Sequence, residues 1–364
     1  MKIAQVAPLY ESVPPKLYGG TERVVANLTD ALVEAGHDVT LFASGDSETS
    51  ARLVPCCAKA LRLNNNAVTD QLAHHFVMLE EVLERADQFD IIHFHIDYMH
   101  FPLARLSGLV HISTLHGRLD SPDLVPLFRK YKNMPLTSIS LSQRKPLPWV
   151  NWIGNVYHGL PEDLLPLGDG GGNYLAFLGR ISPEKRVDRA IEIAKKLNMP
   201  LKIAAKVDEA DRVYYEREIK ALLNTPNVEF VGEINEQQKG EFLGDAYAYL
   251  FPIDWPEPFG LTMIESMACG TPTIAFRCGS VPEVITNGVS GFIVDTVDEA
   301  VNAVQRAATL DRAACRAEFM KRFSAPKMAQ QYSKFYEVCV AAKSGVPEAV
   351  SADPDTEIDS LLTL

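Results

Sequence analysis

Residues 247–272 constrain the fold more tightly than any other stretch of the chain. Tyr247 to Phe251 is a short apolar run that reads as a buried strand, and Trp255-Pro256-Glu257-Pro258 breaks it. From near Phe259 through Leu261-Thr262-Met263-Ile264-Glu265 and on to Cys269, the apolar spacing is helical. Pro256 and Pro258 push the residues before them out of the helical region, so Glu257 is held on an extended approach. The first helical turn leaves the backbone N–H groups of Gly260, Leu261 and Thr262 without intrahelical acceptors, a natural site for phosphate oxygens. Gly260 allows a ligand close to the chain, and Glu265 falls in the second turn. Two carboxylates repel phosphate but accept hydrogen bonds, so they suit sugar hydroxyls flanking a diphosphate. The plainer reading is an amphipathic helix with Ile264 and Met267 in the core and both glutamates solvated.

The rest of the sequence repeats the strand–turn–helix rhythm twice. Lys2 to Leu9 is β-rich, Tyr18-Gly19-Gly20 is a turn, and Val24, Val25, Leu28, Leu32 and Ala35 mark one helix face that stops at Gly36; Val39 to Ala43 is the next strand. Further strands are predicted at 89–96, 110–115, 137–141 and 152–157, with a helix at 70–86. The segment from Gly159 to Gly172, which contains Gly168-Asp169-Gly170-Gly171-Gly172, reads as a linker. A second series follows: strands at 174–178, 201–205, 228–231 and 273–276, a turn and strand at 288–294, and helices at 187–197, 210–223, 236–243, 297–309 and 312–322. This is a doubly wound α/β pattern in two halves. The expected domains are 1–160 and 172–325, followed by a helix at 326–342 and an acidic tail at 343–364 with net charge −4 that reads as disordered.

Other residues carry chemistry. Gly179-Arg180-Ile181-Ser182-Pro183-Glu184-Lys185 places two cations beside a predicted helix N-terminus, where Arg can bind a diphosphate bidentately and Lys as a point charge. An Arg180–Glu184 surface ion pair is the simpler alternative. His93, His95 and Asp97 alternate along one strand, with His100 nearby, so a metal site is a hypothesis, against a strand end that merely collects polar groups. Thr114-Leu115-His116-Gly117 closes a strand at the end where α/β proteins bind ligands. Residues 121–150 carry net charge +4, from Arg129, Lys130, Lys132, Arg144 and Lys145 against Asp123. That segment is either a solvated surface or a contact for anionic lipid.

The run E-P-F-G-L-T-M-I-E-S-M-A-C-G-T-P, with seven residues between Glu257 and Glu265, resembles the signature of the family 4 retaining glycosyltransferases. With the Gly-Gly turn, T-x-H-G and G-R-x-x-x-E-K, the resemblance spans about Lys2 to Ala342. It implies a GT-B fold: two Rossmann-like domains facing across a cleft, acceptor mainly in the first, donor mainly in the second, and the C-terminal helix crossing back. It also implies roles. Gly19 and Gly20 bring backbone to the donor phosphates; Arg180, Lys185 and the Gly260–Thr262 amides stabilise the departing diphosphate. Glu265 binds the ribose, while Glu257 and His116 address the donor sugar. One departure is Tyr157-His158-Gly159-Leu160, where relatives usually have Asn before the glycine, which leaves His158 without a role.

The implied activity is retaining transfer of a sugar from a nucleoside diphosphate, UDP-glucose as the first expectation, to a glycan, lipid-linked or small-molecule hydroxyl, with no cofactor and no metal. Bulk properties agree with an ordinary globular enzyme: 47% hydrophobic and 23% charged residues, and no apolar run near the ~20 residues a membrane helix needs. A net charge of −12 disfavours nucleic acid as a partner. Met1 to Pro8 reads as a strand, not a secretion signal, and six cysteines without C-x-x-C spacing suggest reduced thiols in the cytoplasm or at the inner membrane face. Two alternatives come from other classes: a Rossmann-type oxidoreductase, although G-x-G-x-x-G is missing, and a catalytically silent nucleotide-sugar-binding protein.

Overall fold

The computed structural model describes residues 1–16, 19–63 and 68–343; the acidic segment 344–364 and Tyr18 lie outside the described residues. The first sheet contains β1 (Lys2–Val6), β2 (Asp38–Ser44), β3 (Arg52–Cys57), β4 (Ile91–Phe94), β5 (His111–Thr114), β6 (Leu136–Ser138) and β7 (Trp152–Asn155), in the order β3-β2-β1-β4-β5-β6-β7. The second contains β8 (Leu175–Arg180), β9 (Leu201–Lys206), β10 (Val228–Gly232), β11 (Ala248–Phe251), β12 (Thr273–Phe276) and β13 (Gly291–Val294), in the order β10-β9-β8-β11-β12-β13. Neighbouring strands in both sheets run parallel. Parallel sheets bury both faces, which is why strands such as Ala248-Tyr249-Leu250-Phe251 are apolar throughout instead of alternating.

Each sheet reverses its strand order once, between β1 and β4 in the first and between β8 and β11 in the second. A crevice opens beyond the strand ends at such a reversal. The residues at or beyond the ends of β1, β5, β8 and β11 therefore meet there, and these are the Gly19-Gly20 turn, His116, Arg180 with Lys185, and the Glu257–Glu265 run. This is a two-sheet GT-B architecture.

Two short segments run side by side between the halves. Leu160 N–H donates to Phe323 C=O at 3.0 Å and Ala325 N–H to Leu160 C=O at 2.8 Å. The helix Ala325–Lys343 then packs on the helix Gly20–Glu34, sharing a core with Ile3, Val24, Leu28 and Val156. The linker 159–172 lacks helix and strand but is packed: Gly168 lies against the backbone of Gly244, too close for a side chain.

Beyond the short helices Phe101–Ser107 and Leu124–Lys130, which were not expected, three features depart from the expectations. β3 was not anticipated; it lies at the sheet edge, where Pro55 removes no interior ladder bond. The segment expected as one helix over 210–223 is broken into a turn at Arg212–Tyr214, a wide i→i+5 turn at Tyr215–Ile219 and a 3-10 turn at Leu222–Asn224. Half-buried Tyr214 and, in the wide turn, half-buried Tyr215 and fully buried Ile219 pack on one core. Strand β6 ends at Ser138, short of the expected 137–141, because Ser140 caps a short helix, Leu141–Arg144, by accepting from Gln143 N–H at 3.0 Å.

Gly154 in β7 lies beneath the Phe335 ring of the C-terminal helix, with no room for a side chain. Gly154→Leu is expected to destabilise the protein by about 1–3 kcal/mol through overpacking. Urea denaturation checks this, and an unchanged midpoint contradicts it.

Candidate active site

The crevice is a cleft of about 410 Å³, within the range of small-molecule sites. Gly19, Gly20, His116, Arg180, Lys185, Glu257, Gly260, Leu261, Thr262 and Glu265 all line it. The ten residues singled out from four separate motifs thus share one cavity.

Its floor is the amino terminus of the helix Leu261–Ala268, capped by Gly260 with φ +81°. A Cβ at Gly260 would stand 2.8 Å from Met263 Cε and 3.0 Å from Phe251 Cζ, so both conformation and space require glycine. No side chain caps this end, and its first N–H groups face the cleft without intrahelical partners. The helix Gly20–Glu34 begins opposite, also with no side-chain cap. A Cβ on Gly20 would lie 3.8 Å from Leu261 Cδ1, so two helix amino termini, one from each half, converge on the cavity. Both attract anions.

The Glu257 backbone is fixed from below. Gly279, at φ +58°, packs against its N and O, and Ser280 N–H donates to Glu257 C=O at 3.0 Å. The Glu257 carboxylate forms an ion pair with Lys185 and accepts from Trp255 Nε1–H at 3.0 Å. Glu265 is 2% exposed; one carboxylate oxygen takes a 2.7 Å bond from Lys239 Nζ, while Oε2 is buried without a partner. Glu265 lines the cleft, and an orphaned acceptor on it matches a hydroxyl donor on a ligand. Arg180 makes the ion pair with Glu184 that the sequence offered as the simpler alternative, at 2.6 Å, and also lies 3.5 Å from Asp208 and 3.4 Å from Asp211. It still lines the cleft, but among three carboxylates.

The opposite wall is imidazole. His116 stacks on His158, with ring centroids 5.2 Å apart at 20°, and His158 meets the edge of Phe259 at 4.8 Å. His158, which the motifs left unassigned, thus joins His116 to the Phe259 of the signature run. His93 and His95 are engaged elsewhere: His93 bonds Tyr336 and Thr114, and His95 bonds His116 and Gln5. Among the described residues no group of three or more His, Cys, Asp or Glu side chains is placed to hold a metal ion. Motif reasoning also missed Arg23, Arg118 and Lys239, which line the same cleft. Arg23 pairs with Glu236 across the two halves, and Arg118 lies over the Trp255 ring at 5.6 Å. None sits in a local pattern that marks it.

Two family models match the chain: "Glycosyltransferase Family 4" over residues 18–157 and "Glycosyl transferases group 1" over residues 167–323. The chain belongs to the family 4 glycosyltransferases. An uncharacterized glycosyltransferase of Methanocaldococcus jannaschii is 24% identical over 351 residues, covering 81% of this chain and 85% of its own. A second from that organism is 26% identical over 193 residues, and this chain spans about half of its length (52%), with 50% of this chain covered. The Anabaena protein HepE, solved with UDP and glucose, superposes with a TM-score of 0.72 at 16% identity, covering 93% of this chain and 100% of HepE. That likeness is one of fold. Membership in this family sets aside the oxidoreductase reading.

The buried histidines make the glycosyltransferase acid-sensitive. Burial lowers the His116 pKa to about 3 and holds His93, His95 and His158 well below the usual imidazole range, with neighbouring histidines adding to the effect at His93, His95 and His158. The unfolded chain takes up protons from about pH 6.5 downward, whereas the folded one does not. Stability is therefore present above the unfolded pKa and is lost as pH falls towards the folded values. The urea midpoint is expected to drop from about pH 7.5 to about pH 5, with protons taken up on unfolding. A midpoint constant over that range contradicts the assignment of neutral, buried imidazoles.

Proposed function

We propose that this glycosyltransferase moves a hexose from a nucleoside diphosphate, UDP-glucose being the first choice, to an acceptor hydroxyl with retention at the anomeric carbon. The observation that carries the reading is the convergence of two uncapped helix amino termini and Lys185 on a cleft flanked by Glu257 and Glu265. A diphosphate is the ligand group that such a field favours; the carboxylates on either side suit sugar hydroxyls. The Anabaena protein of the same fold was solved with UDP and glucose, and relatives in sequence include a glycogen synthase of Mycobacterium tuberculosis, which supports a glucosyl donor.

In this reading the bond between the anomeric carbon and the diphosphate oxygen breaks as the acceptor oxygen attacks the same face. The acceptor proton passes to the departing diphosphate. Lys185, Arg180 and the Gly260–Thr262 amides stabilise the charge growing on that group, Gly19 and Gly20 approach it from the first half, and Glu265 Oε2 accepts from the ribose. Glu257 and His116 hold the transferred sugar. In this reading no divalent ion is needed, since amides and cations meet the charge. A glycan or lipid-linked acceptor fits synthesis of cell-surface polysaccharide or glycoconjugate on the cytoplasmic side.

The Lys185–Glu257 pair makes the site testable. Lys185→Ala is expected to lower turnover on the order of 10²–10³-fold with the fold intact by circular dichroism. Glu257→Gln keeps the shape and releases Lys185 from its counter-charge. UDP should bind it at least as tightly as the parent, while transfer falls about 10- to 100-fold through a lost charged hydrogen bond. Near-normal turnover in Lys185→Ala refutes the assignment. Tight nucleotide binding without turnover in the parent favours the silent-binder alternative.

Peripheral membrane contact is part of the proposal. Among the described residues no helix is long and apolar enough to cross a membrane. Arg129, Lys130, Lys132 and Lys145 are exposed, Trp149 is 42% exposed in the same segment, and Arg105 covers the Tyr131 ring at 5.0 Å. Co-sedimentation with liposomes should rise with anionic lipid content and fall with salt. Equal binding to neutral and anionic vesicles rules the contact out.

A further inference from the structure

Beneath the cleft, a continuous line of polar side chains, buried except for the half-buried His116 at its cleft end, runs across the C-terminal ends of β1, β4, β5 and β6, covered by the C-terminal helix. His116 Nε2 lies 2.8 Å from His95 Nδ1, and His95 Nε2 lies 2.8 Å from Gln5 Oε1. Gln5 Nε2 donates to the Tyr336 hydroxyl at 3.0 Å, which lies 2.7 Å from His93 Nδ1. His93 Nε2 reaches Thr114 Oγ1 at 2.7 Å, and Thr114 Oγ1 reaches Thr137 Oγ1 at 2.7 Å and the Tyr332 hydroxyl at 2.8 Å. Thr137 Oγ1 ends the line on the Ser113 carbonyl at 3.3 Å. Strand register explains the contiguity, since Gln5 is the register partner of His93 and Thr114 that of Thr137.

The direction of this line follows from its end. A carbonyl only accepts, so Thr137 donates to Ser113 and must accept from Thr114. Thr114 then accepts from His93 Nε2–H, and a neutral His93 accepts at Nδ1 from the Tyr336 hydroxyl. Tyr336 accepts from the Gln5 amide, which turns Gln5 Oε1 towards His95. His95 carries its proton on Nε2, and its bare Nδ1 accepts from His116 Nε2–H. The opposite direction gives up the bond to Ser113 and leaves a buried, unpaired N–H on His116 Nδ1, a costly state. The direction that satisfies more groups leaves a bare lone pair there, and His116 Nδ1 is indeed buried without a partner.

We infer that Gln5, His95 and Tyr336 are positioning residues that lock His116 as its Nε2–H tautomer and present Nδ1 as a hydrogen-bond acceptor for a hydroxyl of the bound sugar. The C-terminal helix, through Tyr336, thereby sets the chemistry of a group in the cleft. Only the identity of the hydroxyl rests on the glycosyltransfer reading; the tautomer stands apart from it.

Long-range proton–nitrogen NMR of the histidine-labelled protein tests the tautomer without substrate, with signals assigned by their loss in His95→Asn and His116→Asn. His95 and His116 should each show a protonated Nε2 and a bare Nδ1. A protonated Nδ1 on His116, or averaged signals, overturns the proposal. In Tyr336→Phe both rings should lose the single-tautomer pattern, and kcat for sugar transfer should fall on the order of fivefold, as for one hydrogen bond, with the KM for donor little changed. In Tyr332→Phe, which removes only a side branch, the pattern should persist. If Tyr336→Phe keeps the parental tautomers and loses only thermal stability, the helix is merely structural and the proposal fails. If the tautomers behave as stated but no sugar is transferred by the parent, the fault lies with the functional reading.

Discussion

The molecule depends on a local reversal of its own electrostatics. The chain carries a net charge of −12, yet its cleft is built for an anion. The field is supplied mostly by backbone: the helices Gly20–Glu34 and Leu261–Ala268 point their amino termini at one another, and neither end is neutralised by a capping side chain. Peptide dipoles are fixed and put their negative ends at the far termini of the helices, so the amino termini hold a positive potential that an acidic surface does not cancel at close range. Gly260 is required here by its φ of +81° and by Met263 and Phe251, which leave no room for a Cβ.

The side-chain cations are arranged differently. Lys185 is held by Glu257, Lys239 by Glu265, and Arg180 by three carboxylates. Each is partly buried, and a partly buried cation without a partner is costly. The carboxylates therefore keep the cations in place until an anion arrives, and a phosphate competes with them for the same protons. In the proposed reaction Glu257 and Glu265 would then be more than hydroxyl acceptors, since they compete with the leaving group for these cations. A site with free cations would bind diphosphate more firmly and release it more slowly. The helix amides attract the ligand without such competition, which divides capture from release between backbone and side chain.

The local features of this arrangement were legible in the sequence, and the distant ones were not. Residues 255–265 declare a loop, a helix start and two carboxylates because prolines, glycine and helical spacing lie within one turn of each other. The helices Val187–Leu197 and Arg312–Arg322 begin and end where apolar periodicity and flanking breakers place them. By contrast, Arg23 meets Glu236 and Lys239 meets Glu265 only because two domains, or two helices, pack together. The H-x-H of His93 and His95 shows the same limit from the other side. Alternation rightly put both rings near the sheet's ligand-binding end, but their partners, Tyr336 and Gln5, are supplied by tertiary packing. A pair that reads as metal ligands in one dimension is a hydrogen-bonded line in three.

That line also gives a reason for the path of the chain. A helix returning from the second half to the first need only bury apolar surface to be stable, and Met328 and Ala329 do so. Tyr332 and Tyr336 do more, because their hydroxyls enter a sheet face that already carries Gln5, His93 and Thr114 in full burial. With the helix in place but without the Tyr336 hydroxyl, Gln5 Nε2 and His93 Nδ1 would be left buried without this partner, at a cost of ~1–3 kcal/mol each. The two tyrosines therefore fix the helix at one register, where an apolar interface alone would tolerate sliding. Since the same helix begins at the crossing of Leu160 and Ala325, its register also fixes where the second half starts relative to the first. The two helix amino termini on which the cleft relies are thus tied to the same returning helix that carries the polar contact beneath the cleft.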